Sequence, residues 1–108
     1  MLGKTVTVII DRTLGSSHPD HPDIVYPVNY GYIQGIIAPD GEEQDAYVLG
    51  INAPVDEFTG KVKAIIHRKN DVEDKWVVTP DEYLLLKEDV KKETHFQEQY
   101  FDIEIIMQ

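Results

Sequence analysis

The chain is 108 residues long, with 42% hydrophobic and 28% charged residues, which is the size and composition of one folded domain spanning residues 1–108. Ten basic against 20 acidic residues give a formal net charge of −10, and a field of that sign repels nucleic acid and anionic membranes. The chain has no cysteine, so disulfides, thiolate metal sites and cysteine nucleophiles are excluded. No apolar run approaches the length of a membrane span. These features predict a cytoplasmic domain with neither nucleic acid nor membrane as a partner.

Five short segments have the alternating, β-branched pattern of strands. They are TVTVIID (Thr5 to Asp11), NYGYIQGII (Asn29 to Ile37), AYVLG (Ala46 to Gly50), KVKAIIHRK (Lys61 to Lys69) and DKWVVT (Asp74 to Thr79). Within the second segment, Gly31 and Gly35 are the expected bend or bulge positions. Successive short strands favour a closed barrel over a fold with helical crossovers. We therefore predict a mainly β fold built on a five-stranded OB-like β-barrel.

Two helices are predicted after the fifth strand, which makes the fold class α+β. In TPDE, Thr79 is placed to cap a helix, with proline at the first helical position and glutamate at the third, a capping-box pattern. A second segment, residues 87–101, places Phe96, Tyr100 and Ile103 at helical spacing. This apolar stripe can pack on the barrel.

The segment DGEEQD, residues 40–45, carries four acidic side chains between the second and third strands. Carboxylates this close repel one another unless a cation lies among them or water solvates them. Asp40, Glu42 and Asp45 are therefore candidate ligands for Mg²⁺, the natural cation for a site with only oxygen ligands. A solvated acidic loop is the alternative.

A second group of candidate residues lies on the connection into the fifth strand. If the period-two pattern holds, Asp71, Glu73 and Lys75 face one side of the chain. Glu73 can then ligate a metal, and Lys75 can bind a phosphate oxygen. The alternative is a surface ion pair, which contributes little to stability.

The segment YPVNYGYI places Tyr26, Tyr30 and Tyr32 at even spacing, which is typical of half-buried barrel residues with hydroxyls near the rim. Followed by DGEEQD, EDKWVV and HFQEQY in that order, it resembles the soluble, Mg²⁺-dependent inorganic pyrophosphatases of family I. The resemblance runs from about Ile10 to Ile103. It implies an OB-like barrel with C-terminal helices. It also implies hydrolysis of pyrophosphate to two phosphates by metal-activated water, with Mg²⁺ or Mn²⁺ as cofactor.

The resemblance also implies roles for individual residues. The residues that match the family's metal ligands are Asp40, Asp45 and Glu73. Those that match its phosphate-binding side chains are Arg12, Tyr26, Tyr30, Lys75 and Tyr100. Glu42 stands where the family has an aspartate that positions or deprotonates the attacking water, so Glu42 and Tyr30 are the implied catalytic residues. A register shifted by one residue would give the role of Glu73 to Asp74, but Glu73 shares a strand face with Lys75.

The chain departs from the family pattern at three places. The family's lysine ahead of the first strand has only Lys4 as a poorly placed match, and its lysine after Tyr100 is replaced by Phe101. HRKN, residues 67–70, stands where an acidic metal ligand is expected, and basic side chains there can replace the charge of one metal with fixed charge. Two alternatives therefore stay open. One is a non-catalytic module that binds phosphate and metal, and the other is a hydrolase of a larger diphosphate.

The connection between the first two strands contains SSHPDHPDI, with a duplicated HPD triplet. His18 and His21 are candidates to bind a transition metal or to cover the active site. A proline-stiffened surface loop is the alternative. Members of the family commonly associate, which leaves a homo-oligomer open as an assembly.

Overall fold

The computed structural model describes residues 1–71 and 73–108. Its strands are β1 (Thr5–Arg12), β2 (Asn29–Ile37), β3 (Glu43–Val48), β4 (Glu57–Arg68), β5 (Asp74–Thr79) and β6 (Ile103–Met107), with helix α1 (Lys87–Glu98) before β6. The sheet order is β1-β2-β3-β5-β4-β6, and β1 also pairs with β4. The first five strands therefore close into a barrel, as predicted, and β6 extends the sheet from β4. The β3–β5 pair is parallel, and the other pairs are antiparallel.

Two glycines allow β2 to curve around the barrel. A Cβ atom at Gly31 would lie 1.8 Å from the backbone oxygen of Ile9, because β1 and β2 approach closely there. Gly35 has a φ of +85°, and the pairing of β2 with β3 shifts register between Ile33 and Ile37. The predicted bulge at Gly35 is confirmed, and the chain continues from there into the acidic connection before β3. At Gly31 the register shift lies on the partner strand, between Ile10 and Arg12 of β1.

The buried side chains form two clusters, separated by the barrel wall. One cluster draws on all five barrel strands and fills the interior, and the other lies between the wall, α1 and β6. Neighbouring residues on a strand point to opposite clusters: Val48 and Val78 lie inside, whereas Tyr47 and Val77 face the helix side. This alternation follows from the period of two along a strand. Because of this alternation, both faces of β3 and both faces of β5 are buried. The two strands are therefore held firmly in the barrel.

The predicted helix at TPDE is wrong. Thr79 is the last residue of β5, fully buried and paired with Lys61 of β4. Its hydroxyl donates to the carbonyl oxygen of Pro80 at 2.9 Å, so it caps no helix. The Tyr83 amide donates to the same oxygen at 3.1 Å and closes a turn. A residue that precedes proline prefers extended backbone, which explains why the strand continues up to Thr79.

Within the described residues, the C-terminal region has one helix and not two. The Leu86 amide donates to the Asp89 carboxylate at 3.1 Å where α1 begins. The predicted helix from residue 87 is confirmed as far as Glu98. Ile103, which the predicted stripe assigned to that helix, instead begins β6, because its strand pairs with the outer edge of β4. Across the described parts of the chain, every helix is too short or too polar to cross a membrane.

Candidate active site

Three hollows adjoin one another through shared lining residues. The acidic hollow, about 310 Å³, is lined by Tyr32, Asp40, Glu42, Glu43, Asp45 and Glu73. The arginine hollow, about 340 Å³, is lined chiefly by Asp11, Arg12, Asp20, Tyr26, Tyr30 and Asp45. The aromatic slot, about 190 Å³, is lined chiefly by His18, His21, Ile24, Phe96, Tyr100 and Phe101. Asp45 belongs to the first two hollows, and His18 and Gln97 belong to the last two.

The acidic hollow is built by the tight connection from β2 to β3. Asp40 Oδ1 accepts a hydrogen bond from the Glu42 amide at 3.0 Å, which folds the acidic segment back on itself. β3 then pairs Asp45 with Tyr32 of β2. The structure therefore brings together Asp40, Glu42 and Asp45, with Glu73 in the same hollow.

Lys75 is a buried cation between two of these carboxylates. Its side chain is 5% exposed, and Nζ lies 2.6 Å from Asp45 Oδ2 and 3.0 Å from Glu73 Oε2. Burial alone lowers the pKa of the ammonium, but Tyr30 and the Asp45 carboxylate outweigh burial and raise the pKa above its ordinary value. Lys75 is therefore charged at neutral pH and holds two predicted metal ligands together. Asp74, the residue favoured by the shifted register, pairs with a histidine of β4 instead.

A second buried cation, Arg68 at the end of β4, lies on the other side of Glu73. Arg68 Nη1 lies 3.2 Å from Glu73 Oε2, the same oxygen that contacts Lys75. Arg68 Nε and Nη2 donate to the two carboxylate oxygens of Glu98 at 2.9 and 2.6 Å. The ring of Phe101 lies 3.7 Å from the guanidinium carbon. Glu73 thus bridges two fixed cations, and Phe101 packs on one of them.

The partnership of Arg68 with Glu98 was not predicted from the sequence. The signal available there was the spacing of Val90, Thr94 and Glu98, which lie four residues apart and form the buried face of α1. A glutamate on the buried face of a helix requires a cation or hydrogen-bond donors. The hydroxyl of Tyr47 supplies one more donor, at 2.7 Å from Glu98 Oε2. Helix α1 is therefore connected to the site through buried polar groups.

The arginine hollow is framed by tyrosines whose rings pack against one another at an angle. Tyr26 and Tyr30 have ring centroids 5.8 Å apart, and Tyr30 packs 4.9 Å from Tyr47. Burial is the largest cause that raises the pKa of both Tyr26 and Tyr30 above the usual value. Both hydroxyls keep their protons at neutral pH, as an ordinary tyrosine does, and can donate hydrogen bonds. The structure places Arg12 with them in one hollow.

The arginine hollow also contains carboxylates, which oppose the charge of Arg12. Asp11, Asp20 and Asp45 line it beside the guanidinium. Burial raises the pKa of the Asp11 carboxyl, and the charge of Arg12 partly counteracts that rise. A polyanion such as pyrophosphate therefore meets both attractive and repulsive groups. Counter-charge brought with the anion would offset the repulsion.

Tyr100 lies in the aromatic slot, where its ring is 68% exposed, and not with the other predicted phosphate-binding residues. His18 lies at the boundary between the aromatic slot and the arginine hollow. Its Nδ1 accepts the Asp20 amide at 3.1 Å, which leaves Nε2 to hold the proton of the neutral ring. The duplicated HPD triplet was the sequence signal for this position.

The donors of the acidic hollow suit Mg²⁺ in kind, because they are carboxylate oxygens. In residues 1–71 and 73–108, however, no three Asp, Glu or His side chains are grouped closely enough to hold a metal ion by themselves. Asp45 and Glu73 converge on Lys75 instead. Mg²⁺ commonly binds through one or two carboxylates plus phosphate oxygens of the substrate. The residues present therefore fit a cation that arrives with its phosphate ligand.

No protein-family model matches the chain, and no curated protein matches it by sequence. Solved structures match across almost its full length. An inorganic pyrophosphatase from Ehrlichia chaffeensis aligns with a TM-score of 0.74 at 18% identity, covering 99% of this chain and 88% of that one. Those from Neisseria gonorrhoeae (TM-score 0.68, 19% identity, 91% and 74% covered) and Thermus thermophilus (0.63, 18%, 94% and 80%) are also similar.

The chain therefore has the fold of the inorganic pyrophosphatases. This likeness confirms, at the level of fold, the resemblance that YPVNYGYI and DGEEQD indicate in the sequence. At this level of identity the likeness establishes the fold alone.

Proposed function

We propose that this chain hydrolyses inorganic pyrophosphate to two phosphates with a divalent cation, Mg²⁺ or Mn²⁺. The observation that carries the proposal is the position of Asp45, which lines both the acidic hollow and the arginine hollow. Oxygen donors for a cation and hydrogen-bond donors for a phosphate thus meet along one edge. The pyrophosphatase fold supports the same reaction.

The arginine hollow would bind the substrate phosphates. Arg12 supplies a guanidinium, which pairs with phosphate oxygens in a bidentate manner. Tyr26 and Tyr30 supply hydroxyls that are protonated at neutral pH, as those of tyrosines ordinarily are. Fixed donors of this kind stabilise the charge that develops on phosphoryl oxygens as the bridging bond breaks. The Tyr26 hydroxyl donates to Gln97 Oε1 at 3.2 Å, so it would exchange this acceptor for a phosphate oxygen when substrate binds.

The acidic hollow would supply the water and accept its proton. We assign Glu42 as the general base, because its backbone is held by Asp40 and its side chain lines the hollow beside Asp45. The water oxygen forms a bond to phosphorus, the bond from that phosphorus to the bridging oxygen breaks, and one proton passes to the Glu42 carboxylate. A divalent cation bound by Asp40 and Asp45 would supply positive charge against the phosphates and lower the pKa of a bound water.

Arg68 and Lys75 would supply fixed positive charge in place of part of the metal charge. They face the carboxylates of Asp45, Glu73 and Glu98 at 2.6 to 3.2 Å. Arg68 Nη1 also lies 4.0 Å from Asp71 Oδ2, so two cations face four carboxylates in this cluster. One oxygen of Glu73 already contacts both cations, which weakens its attraction for a second metal ion. We therefore expect Glu73 to contribute less to metal binding than Asp40 and Asp45.

Release of phosphate from pyrophosphate tests the proposal. The purified protein should release phosphate with Mg²⁺ or Mn²⁺ present and should be inactive after chelation. Asp45→Asn should remove that activity while retaining the fold, checked by circular dichroism. Asp81→Asn is the matched control, because Asp81 lies on an exposed turn and pairs with Lys61. Binding of Mg²⁺–pyrophosphate without phosphate release would instead identify a non-catalytic binding module.

A further inference from the structure

The aromatic slot is a second recognition surface directly beside the proposed phosphate site. Most of its lining is carbon, from Ile24, Phe96, Tyr100 and Phe101. Its volume of about 190 Å³ is below the roughly 300 Å³ at which pockets for drug-sized ligands begin. It therefore suits one planar ring system better than a whole ligand. Pyrophosphate has no apolar part, so the proposed reaction leaves the slot without a role.

The wall between the slot and the arginine hollow is held by hydrogen bonds. Gln97 belongs to both, and its Oε1 accepts from Tyr26 at 3.2 Å while its Nε2 donates to Tyr47 at 2.8 Å. His18 also belongs to both, and its ring is nearly parallel to that of Tyr26, at 6° and 6.2 Å between centroids. A ligand with a charged end and a ring end can therefore span this wall. The charged end would meet Arg12, and the ring would enter the slot.

Two rings of the slot are available for stacking. Tyr100 is 68% exposed, so one face can cover a planar ligand with little rearrangement. Phe101 is fixed by the guanidinium of Arg68, 3.7 Å from its ring centroid. His21 also lines the slot, with its ring centroid 5.1 Å from that of His18. Planar rings bind between aromatic side chains of this kind without base-specific hydrogen bonds.

We propose that the preferred substrate is a diphosphate ester with a planar ring, such as a nucleoside diphosphate, whose diphosphate occupies the arginine hollow and whose ring occupies the aromatic slot. This inference rests on the proposed function. In hydrolysis, the water oxygen bonds to the terminal phosphorus and the bond from that phosphorus to the bridging oxygen breaks. The bridging oxygen leaves with the organic phosphate. One proton of the water stays on the inorganic phosphate, and the other goes to the base and then to solvent.

The test compares three probes: a nucleoside diphosphate, methyl diphosphate and inorganic pyrophosphate. Methyl diphosphate has the same charged group as the nucleotide but no ring. Stacking in the slot should make the nucleotide bind about 5- to 100-fold more tightly than methyl diphosphate. Calorimetric binding and phosphate release are both measured, with Mg²⁺ present.

Ile24→Trp is the blocking variant, because the larger side chain would fill the slot. Val25→Trp is the matched control: Val25 is the next residue and is already 53% exposed. Ile24→Trp should lower the ratio of nucleotide to methyl diphosphate affinity at least 5-fold, and Val25→Trp should leave that ratio unchanged.

The outcomes separate the two proposals. If pyrophosphate is hydrolysed but nucleotide and methyl diphosphate bind equally, or Ile24→Trp leaves their affinity ratio unchanged, the slot proposal alone fails. If the nucleotide binds more tightly, releases phosphate, and loses the advantage in Ile24→Trp, the slot proposal holds. Tighter binding of the nucleotide with no phosphate release would overturn it as a substrate proposal. If none of the three probes binds, both proposals fail together.

Discussion

The buried pair of Arg68 with Glu98 gives the strongest test of how the site is supported. The Glu98 side chain is 1% exposed and accepts three hydrogen bonds, two from Arg68 and one from Tyr47, at 2.6 to 2.9 Å. Glu98→Gln keeps the volume but removes the charge and turns one acceptor into a donor. Removing one partner of a buried ion pair costs about 3–5 kcal/mol. Because Glu73 still contacts Arg68, we expect about 3 kcal/mol, at the lower end of that range.

The cost is large against the whole stability of a small domain, about 5–15 kcal/mol. It can be measured by urea unfolding followed through the fluorescence of the single tryptophan, Trp76. The unfolding free energy of a small protein falls by about 1–3 kcal/mol per molar urea. A loss of about 3 kcal/mol should therefore lower the urea midpoint of Glu98→Gln by about 1–3 M. Asp81→Asn, on an exposed ion pair, should leave the midpoint unchanged.

A double replacement provides the internal control. Arg68→Met combined with Glu98→Leu removes both charges, so no buried charge is left alone. The double variant should lose less unfolding free energy than Arg68→Met alone or Glu98→Leu alone. The reason is that replacing a whole buried ion pair by apolar side chains is often close to neutral. A Glu98→Gln midpoint equal to that of the unaltered protein would refute the reasoning. So would a double variant whose loss equals the sum of the single losses.

Gly31→Ala should cost at least about 3 kcal/mol or prevent folding, because the new Cβ would lie 1.8 Å from a backbone oxygen of β1; circular dichroism with thermal unfolding measures it, and a normal melt would contradict the close approach. Burial raises the pKa of Tyr30 and Tyr47 in the folded protein. Their contribution to the free energy of unfolding is therefore complete below the unfolded-state pKa of about 10, and it is lost as the pH rises through the folded-state pKa values. An absorbance titration should show these two tyrosines ionising only with alkaline unfolding, and ionisation of all tyrosines near their usual pKa would refute it. Lys75→Met should weaken pyrophosphate binding, and it should let an additional Mg²⁺ bind because the two carboxylate partners of Lys75 become free. Calorimetry measures both, and no change in either would contradict the proposal that Lys75 replaces part of the metal charge.

The barrel strands could be predicted well because their signals are local. The bounds predicted for β2 and β5 agree with the structure, since alternation and flanking turn residues mark both. β6 was missed because IEIIM follows a helix and its apolar residues also fit a helical stripe. Only the outer edge of β4, far away in sequence, makes it a strand. The helix predicted from the capping pattern at Thr79 does not form, because Thr79 pairs with Lys61 of β4 as the last residue of β5.

The site could be predicted in part for the same reason. Asp40 and Glu42 lie on the short connection before β3, and Asp45 lies on β3 itself, where the predicted connection had already become a strand. The three are only five residues apart in sequence, so the sequence alone indicates that they lie close together. Glu73 and Lys75 could be paired from the period of a strand. Arg68 and Glu98 are 30 residues apart, and nothing local indicates their contact. The same applies to the aromatic slot, which combines the HPD loop with the end of α1.

The measurement that tests the central claim most directly is phosphate release from pyrophosphate by the purified protein, with Mg²⁺, with Mn²⁺ and after chelation. Asp45→Asn and Asp81→Asn are measured beside it. We predict cation-dependent release by the unaltered protein and by Asp81→Asn, and none by folded Asp45→Asn. Absence of release from the folded, unaltered protein with either cation, or equal release by Asp45→Asn, would contradict the account.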